Sequence, residues 1–233
     1  MTWAMYDALV DACTRVDGDD RIRVFVLKAE GDAFVAGTDI RQFTAFTSAQ
    51  DGLAYEQRLD QVIDRLEQVR VPTIAQVHGI AAGGGCAIAI ACDFRICTVD
   101  AQFAVPIART LGNCLSAANC ARLVDLIGPA RTKELLFTGR LVGAIEAETL
   151  GLVTRIAPAQ ELDAAVRELA DTLAANAPLT LRATKETLRR LAERRRLAPT
   201  AIDDVIASCY ASGDFREGVA AFLEKRRPRF TGR

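Results

Sequence analysis

Imidazole is almost absent from this chain: its 233 residues include one histidine, His78, beside one tryptophan and two methionines. A metal centre or proton relay built on several histidines is not available to it. The seven cysteines (Cys13, Cys86, Cys92, Cys97, Cys114, Cys120 and Cys209) contain no C-x-x-C pair and lie mostly in apolar segments. Reduced, buried thiols of a cytoplasmic protein are distributed this way, which argues against disulfides and metal sites. The net charge is −1, so the chain has no bulk attraction for nucleic acid or anionic membranes. Charges break every apolar stretch well before the ~20 residues a membrane span needs. Asp7 and Asp11 come too early for a signal peptide. What is present is ordinary for a soluble globular protein: 50% apolar residues and 25% charged. The length allows one large domain or a domain with an appendage.

Hydrophobic periodicity alternates between strand and helix through the first half. Residues 1–16 read as an amphipathic helix, 23–28 as a strand, 52–69 as a longer helix ended by Val71-Pro72, and 73–77 as a strand. A buried helix is expected over 86–91, strands over 94–99 and 102–105, and a helix over 117–127 capped by Ser116. Beyond about residue 105 the chain reads as nearly all helical, over 130–138, 144–150, 159–175, 180–196, 199–211 and 215–227. The expectation is an α/β core (1–135) followed by a helical C-terminal segment (136–233).

Two small-residue turns stand out. His78-Gly79-Ile80-Ala81-Ala82-Gly83-Gly84-Gly85-Cys86-Ala87 joins an apolar strand to an apolar helix. Phe34-Val35-Ala36-Gly37-Thr38-Asp39-Ile40 follows an earlier strand. Consecutive glycines let a backbone approach a ligand and aim its N–H groups at it. Two such turns can each supply one N–H to a developing oxyanion.

These residues resemble the crotonase superfamily, the enoyl-CoA hydratase/isomerase family. The resemblance runs through A-F-V-A-G-T-D-I (33–40), P-T-I-A-Q-V-H-G (72–79), G-G-G-C (83–86), A-I-A-C-D (89–93) and A-Q-F (101–103) with Pro106. It continues through T-G-R (138–140), A-x-x-L-G-L-V (147–153), A-T-K-E (183–186) and E-G-V-A-A-F-L-E-K-R (217–226), so it covers the whole chain in order. It implies an α/β fold, a spiral of ββα turns with a helical C-terminal segment used for trimerisation, and a homotrimer or dimer of trimers. It implies an acyl-CoA substrate, with coenzyme A arriving as part of the thioester and no separate cofactor. Carried over by position, the N–H groups of Thr38 and Gly84 form the oxyanion hole. Ala36, Asp39, Ile40, Ala82 and Gly83 surround the adenine and thioester, Pro106 and Ile107 flank the acyl group, and Phe222 and Lys225 meet CoA, the lysine its phosphate.

Two departures weigh against hydration. Family hydratases place one glutamate after G-G-G-C and another after the A-Q-F-x-x-P proline; here these positions hold Ala87 and Ile107. Water addition needs one group to activate water and one to protonate carbon, and neither side chain does so. Decarboxylation of a malonyl-type thioester needs the enolate hole more than a strong base, and Arg109 is then a candidate carboxylate partner. A catalytically silent acyl-CoA binder is the other alternative. A third departure is that the chain opens where the family's first helix begins, without the preceding β-hairpin; a start codon placed too late is the expectation.

Other polar residues have plainer explanations. Asp39 fits a helix N-cap, with Gln42 at capping-box spacing. His78 at a strand end fits a structural role, and Arg109 fits a surface position. Cys114, near Asn113, Ser116 and Asn119, has no base beside it in sequence to make it a nucleophile. The arginines at 189–190 and 194–196 read as a solvated helix face.

Overall fold

The computed structural model describes residues 1–233. The chain opens with α1 (Trp3–Gly18), β1 (Phe25–Leu27), a 3₁₀ turn (Ile40–Ala45) and α2 (Ala49–Glu67). Then come β2 (Thr73–Val77), β3 (Ile80–Ala82), α3 (Gly84–Ala91), β4 (Phe94–Thr98), β5 (Gln102–Ala104), α4 (Ile107–Thr110) and α5 (Ala117–Thr138). The rest is β6 (Val142–Gly143), α6 (Ala144–Thr149), β7 (Arg155–Ala157), α7 (Leu162–Ala175), α8 (Pro178–Glu193), α9 (Asp203–Ala211) and α10 (Gly213–Leu223). No helix is long and apolar enough to cross a membrane.

Successive ββα turns feed two sheets. β1, β2, β4 and β7 form a parallel sheet, with Phe25 opposite Thr73, Ile74 opposite Phe94 and Ile96 opposite Arg155. β3, β5 and β6 form the second, with β3 parallel to β5 and β5 antiparallel to β6. Strand alternation sets the layers. Ile74 and Ile96 on one face of the first sheet pack on Leu162, Val166 and Leu173 of α7. Ala75, Val77 and Cys97 on the other face join the main core with α1, α2 and α3.

Three strands depart from the sequence reading. β3 lies inside what reads as a glycine-rich turn, and β6 and β7 lie in the stretch that reads as helical. Each has two or three residues and is held by pairing with a distant strand, which local periodicity does not register. The α5 span runs past Ile127 and is broken at Gly128, whose φ of 73° marks a boundary between two helices before Pro129. α9 starts at Asp203, since residues 199–202 form turns.

Candidate active site

The two small-residue turns lie side by side because the second sheet extends onto the first of them. Val35 pairs with Ala81, its N–H donating to the Ile80 carbonyl at 3.1 Å and its carbonyl accepting from Ala82 at 2.9 Å. Thr38 and Gly84 then each lie three residues beyond this pairing. Gly83, at φ 52°, turns the chain from β3 into α3 in a conformation that glycine adopts freely. Gly85 must lack a side chain, since a Cβ there would sit 2.1 Å from the Val35 carbonyl oxygen.

Gly84 is the first residue of α3, so its N–H has no intrahelical acceptor. The Thr38 N–H finds no acceptor within the chain. A Cβ on Gly84 would lie 3.3 Å from Thr38 Oγ1, which measures how closely the turns approach. Thr38 is held by two tyrosines: its Oγ1 lies 2.8 Å from Tyr6 Oη and 2.9 Å from Tyr55 Oη. Those tyrosines belong to an aromatic cluster in which Trp3 sits 5.4 Å from Tyr6 and 5.6 Å from Tyr55, centroid to centroid. At the far end of α3, the buried Arg95 donates to the carbonyls of Ala89, Cys92 and Leu152. That guanidinium satisfies the carbonyl end of the helix whose amide end starts at Gly84.

Gly83 and Gly84 open onto a cavity of about 50 Å³. Its apolar wall is Leu59, Ala87, Ile90, Val105, Ile107, Leu115 and Leu123, with Cys114, Asn119 and Glu56 completing it. Ala87 and Ile107 therefore share one small chamber. Burial pushes the Cys114 thiol far above its ordinary range, so it stays protonated. Asn119 is fixed in a polar network: its Nδ2 donates to Asp60 at 3.1 Å, and its Oδ1 accepts from the buried Arg122 at 3.1 Å.

Glu56 is 4% exposed. Its Oε1 accepts from Tyr210 Oη at 2.6 Å, and that hydroxyl accepts from Asn113 Nδ2 at 3.2 Å. Burial pushes the Glu56 carboxyl up to about 8; the Tyr210 hydroxyl offsets part of this, and the neighbouring Asp60 adds to it. The contact is built by α2 itself. Gly52, one turn before Glu56, leaves room for the Tyr210 ring, which a Cβ would meet at 2.1 Å. Alanine at position 52 is expected to cost about 1–3 kcal/mol through overpacking, despite its better helix propensity, measured by urea unfolding.

The remaining candidates are distributed around this centre. Asp39 caps the 3₁₀ turn, accepting from the Arg41 N–H at 3.1 Å. Its bidentate pairing with the Arg41 side chain holds the carboxyl down at about 2, a weak base. Gln42 does not complete a capping box: its side chain donates to the Met1 carbonyl instead, while α2 carries such a box in Ser48 and Asp51. Ala36 is exposed, Ile40 half-buried and Ala82 buried. Pro106 is the N-cap of α4. Ile107 begins α4 and lines the cavity; Arg109, two residues on and so on another face, is exposed and lines none of it. His78 bonds the Gly31 carbonyl through Nε2 at 2.8 Å, tying a strand end to a loop. Phe222 and Lys225 are exposed at the end of α10 and do not line the cavity of the same chain. Lys225 has φ 54°, with its N–H bonded to the Phe222 carbonyl and that of Arg226 to the Ala221 carbonyl. This Schellman turn usually takes glycine.

No motif marks Tyr210 or Tyr6, whereas Glu56 and Tyr55 lie on the helix read over 52–69, from which either could enter the pocket without a linear reading placing them. One signal for Glu56 exists in sequence: it shares the helical stripe of Leu59 and Ile63, so it is a carboxyl on an apolar face.

Comparison with known proteins agrees with this architecture. The family model described as Enoyl-CoA hydratase/isomerase matches residues 1–233. A crotonyl-CoA hydratase from Syntrophomonas wolfei is 34% identical over 222 residues, covering 94% of this chain and 85% of the relative. The crystal structure of an enoyl-CoA hydratase subunit from Geobacillus kaustophilus is 36% identical, with a TM-score of 0.76 over 100% of this chain and 90% of that one. A methylmalonyl-CoA decarboxylase in complex with 2-nitronate-propionyl-CoA superposes with a TM-score of 0.90 at 28% identity, over 98% of this chain and 88% of that one. With its two apposed turns, its ββα spiral and a family match along its full length, the chain belongs to the enoyl-CoA hydratase/isomerase family of acyl-CoA enzymes.

Proposed function

We propose that this chain binds a short acyl-CoA thioester with its carbonyl oxygen between the N–H groups of Thr38 and Gly84, and that it removes CO₂ from a malonyl-type acyl group. The observation that carries this reading is the chamber beneath the hole, small and apolar and lined by Ala87 and Ile107, the positions at which the family resemblance implies the glutamates of a hydratase. A carboxylate placed there loses its hydration and gains no cation. Breaking its C–C bond releases neutral CO₂ and moves the charge to the thioester oxygen, where two fixed N–H donors and the amide end of α3 stabilise it. The structural likeness to a methylmalonyl-CoA decarboxylase supports the same chemistry. Ala36, Asp39, Ile40, Ala82 and Gly83 are the proposed CoA and thioester surroundings. Phe222 and Lys225 are proposed to meet CoA from the α10 end of a neighbouring subunit in a trimer.

The test is to restore the missing groups. The wild-type chain is expected to leave crotonyl-CoA unhydrated while binding it, and an Ala87→Glu/Ile107→Glu variant to gain hydration, followed by loss of enoyl-thioester absorbance. Hydration by the wild-type chain at a rate the double variant does not exceed would refute the reading.

A further inference from the structure

Glu56 is the only carboxyl on the wall of the apolar cavity, and it also lines a second, polar cleft of about 500 Å³. That cleft is walled in part by Gln57, Asp60, Gln61, Asp64 and Asp203. Glu56 is thus the side chain shared by a small apolar chamber and a larger polar one. Its position is specified by one distant residue and one local one: Tyr210, 154 residues away, donates to Oε1 at 2.6 Å, and Gly52, one turn earlier on α2, leaves the space for that ring. A glycine within a helix costs up to about 1 kcal/mol relative to alanine, and a carboxyl on the buried stripe costs more; both serve this one contact.

We propose that Glu56 is a catalytic residue that carries a proton between the polar cleft and the α-carbon of the bound thioester, oriented by Tyr210. This rests on the enolate chemistry proposed above. When CO₂ leaves, its bonding pair becomes the enolate. The Glu56 O–H bond breaks, its proton forms the new C–H bond at the α-carbon, and the resulting carboxylate takes a proton from water in the cleft. One proton is consumed per CO₂ released, and no other reagent is needed. The neutral carboxyl that burial favours is the form this step requires. The reverse step, removal of an α-proton from a saturated thioester, requires the carboxylate and leads to exchange with solvent.

Exchange of the α-protons of propionyl-CoA in D₂O tests this without needing CO₂ release. The wild-type chain is expected to exchange them, and Glu56→Gln to exchange at least about 100-fold more slowly while binding propionyl-CoA as before. Glu56→Asp is expected to recover part of the rate. The exchange rate should rise with pH until Glu56 is ionised, near pH 8. Tyr210→Phe should move that rise to higher pH, because the lost hydrogen bond favours the ionised form; a purely structural role would lower the rate without moving the profile. The titratable groups facing Glu56 are Tyr6 from α1, Tyr55 and Asp60 from α2, Cys114 and Cys120 from around α5, and Tyr210 from α9. The tyrosines and thiols are themselves pushed upward, away from this window. Wild-type exchange that persists in Glu56→Gln, or binding of propionyl-CoA with no exchange in the wild-type chain, would overturn the proton role and leave thioester binding standing. Failure to bind the thioester at all would overturn both.

Discussion

Removing the Gly84 N–H is expected to lower turnover of methylmalonyl-CoA by about 10²–10³-fold, the usual loss for one oxyanion donor. Proline removes that donor alone, and it is well tolerated at the first position of a helix, where Gly84 stands. The close packing here demands a companion change, because a Cβ at position 84 would lie 2.5 Å from Tyr6 Oη. The informative comparison is therefore Tyr6→Phe against Tyr6→Phe/Gly84→Pro, with far-UV circular dichroism to show that both are folded. An ester in place of the Gly84 amide removes the same donor with no ring. Turnover that survives either change within threefold would remove Gly84 from the reacting centre.

Replacing Glu56 by glutamine is expected to make the protein more stable in alkali while changing it little in acid. Burial raises the folded-state pKa of Glu56 from the ordinary 4.5 to about 8. The unfolded chain gives up this proton near pH 4.5 and the folded chain only near pH 8. The stability associated with the neutral group is therefore complete below pH 4.5, falls through the interval, and is lost above pH 8. The shift corresponds to at most about 5 kcal/mol. Glutamine is neutral throughout and can still accept from Tyr210 through its amide oxygen. Urea unfolding at pH 5 and pH 9 is expected to show similar midpoints at the lower pH and a higher midpoint for Glu56→Gln at the higher. Equal midpoints at both values would mean that Glu56 ionises without penalty, and its seat in the cavity wall would then be misjudged. A destabilising carboxyl kept on a buried face is characteristic of a functional position.

How much of this was legible in the residues differs from element to element. β2 falls at Thr73–Val77 as the alternation with its flanking Val71-Pro72 break indicates, and Ser116 caps α5 as its position before an apolar helix suggests. The apposed turns were legible because glycine, alanine and threonine around 34–40 and 79–87 serve a backbone purpose, which local sequence expresses. β3, β6 and β7 were not, because a strand of two or three residues owes its existence to its partner. The Glu56–Tyr210 contact joins residues 154 positions apart, and only the folding of α9 onto α2 creates it. Arg109 has chemistry that suits a carboxylate, but it is exposed on α4 and is not among the residues lining the chamber that Ile107 lines.

The hole formed by Thr38 and Gly84 is proposed to serve an enolate left by CO₂ rather than the addition of water. The most direct test is one incubation of the wild-type chain with methylmalonyl-CoA and crotonyl-CoA together, analysed by mass spectrometry of the thioesters. Conversion of methylmalonyl-CoA to propionyl-CoA is expected, with crotonyl-CoA recovered unchanged. Hydrated crotonyl-CoA beside untouched methylmalonyl-CoA would contradict it.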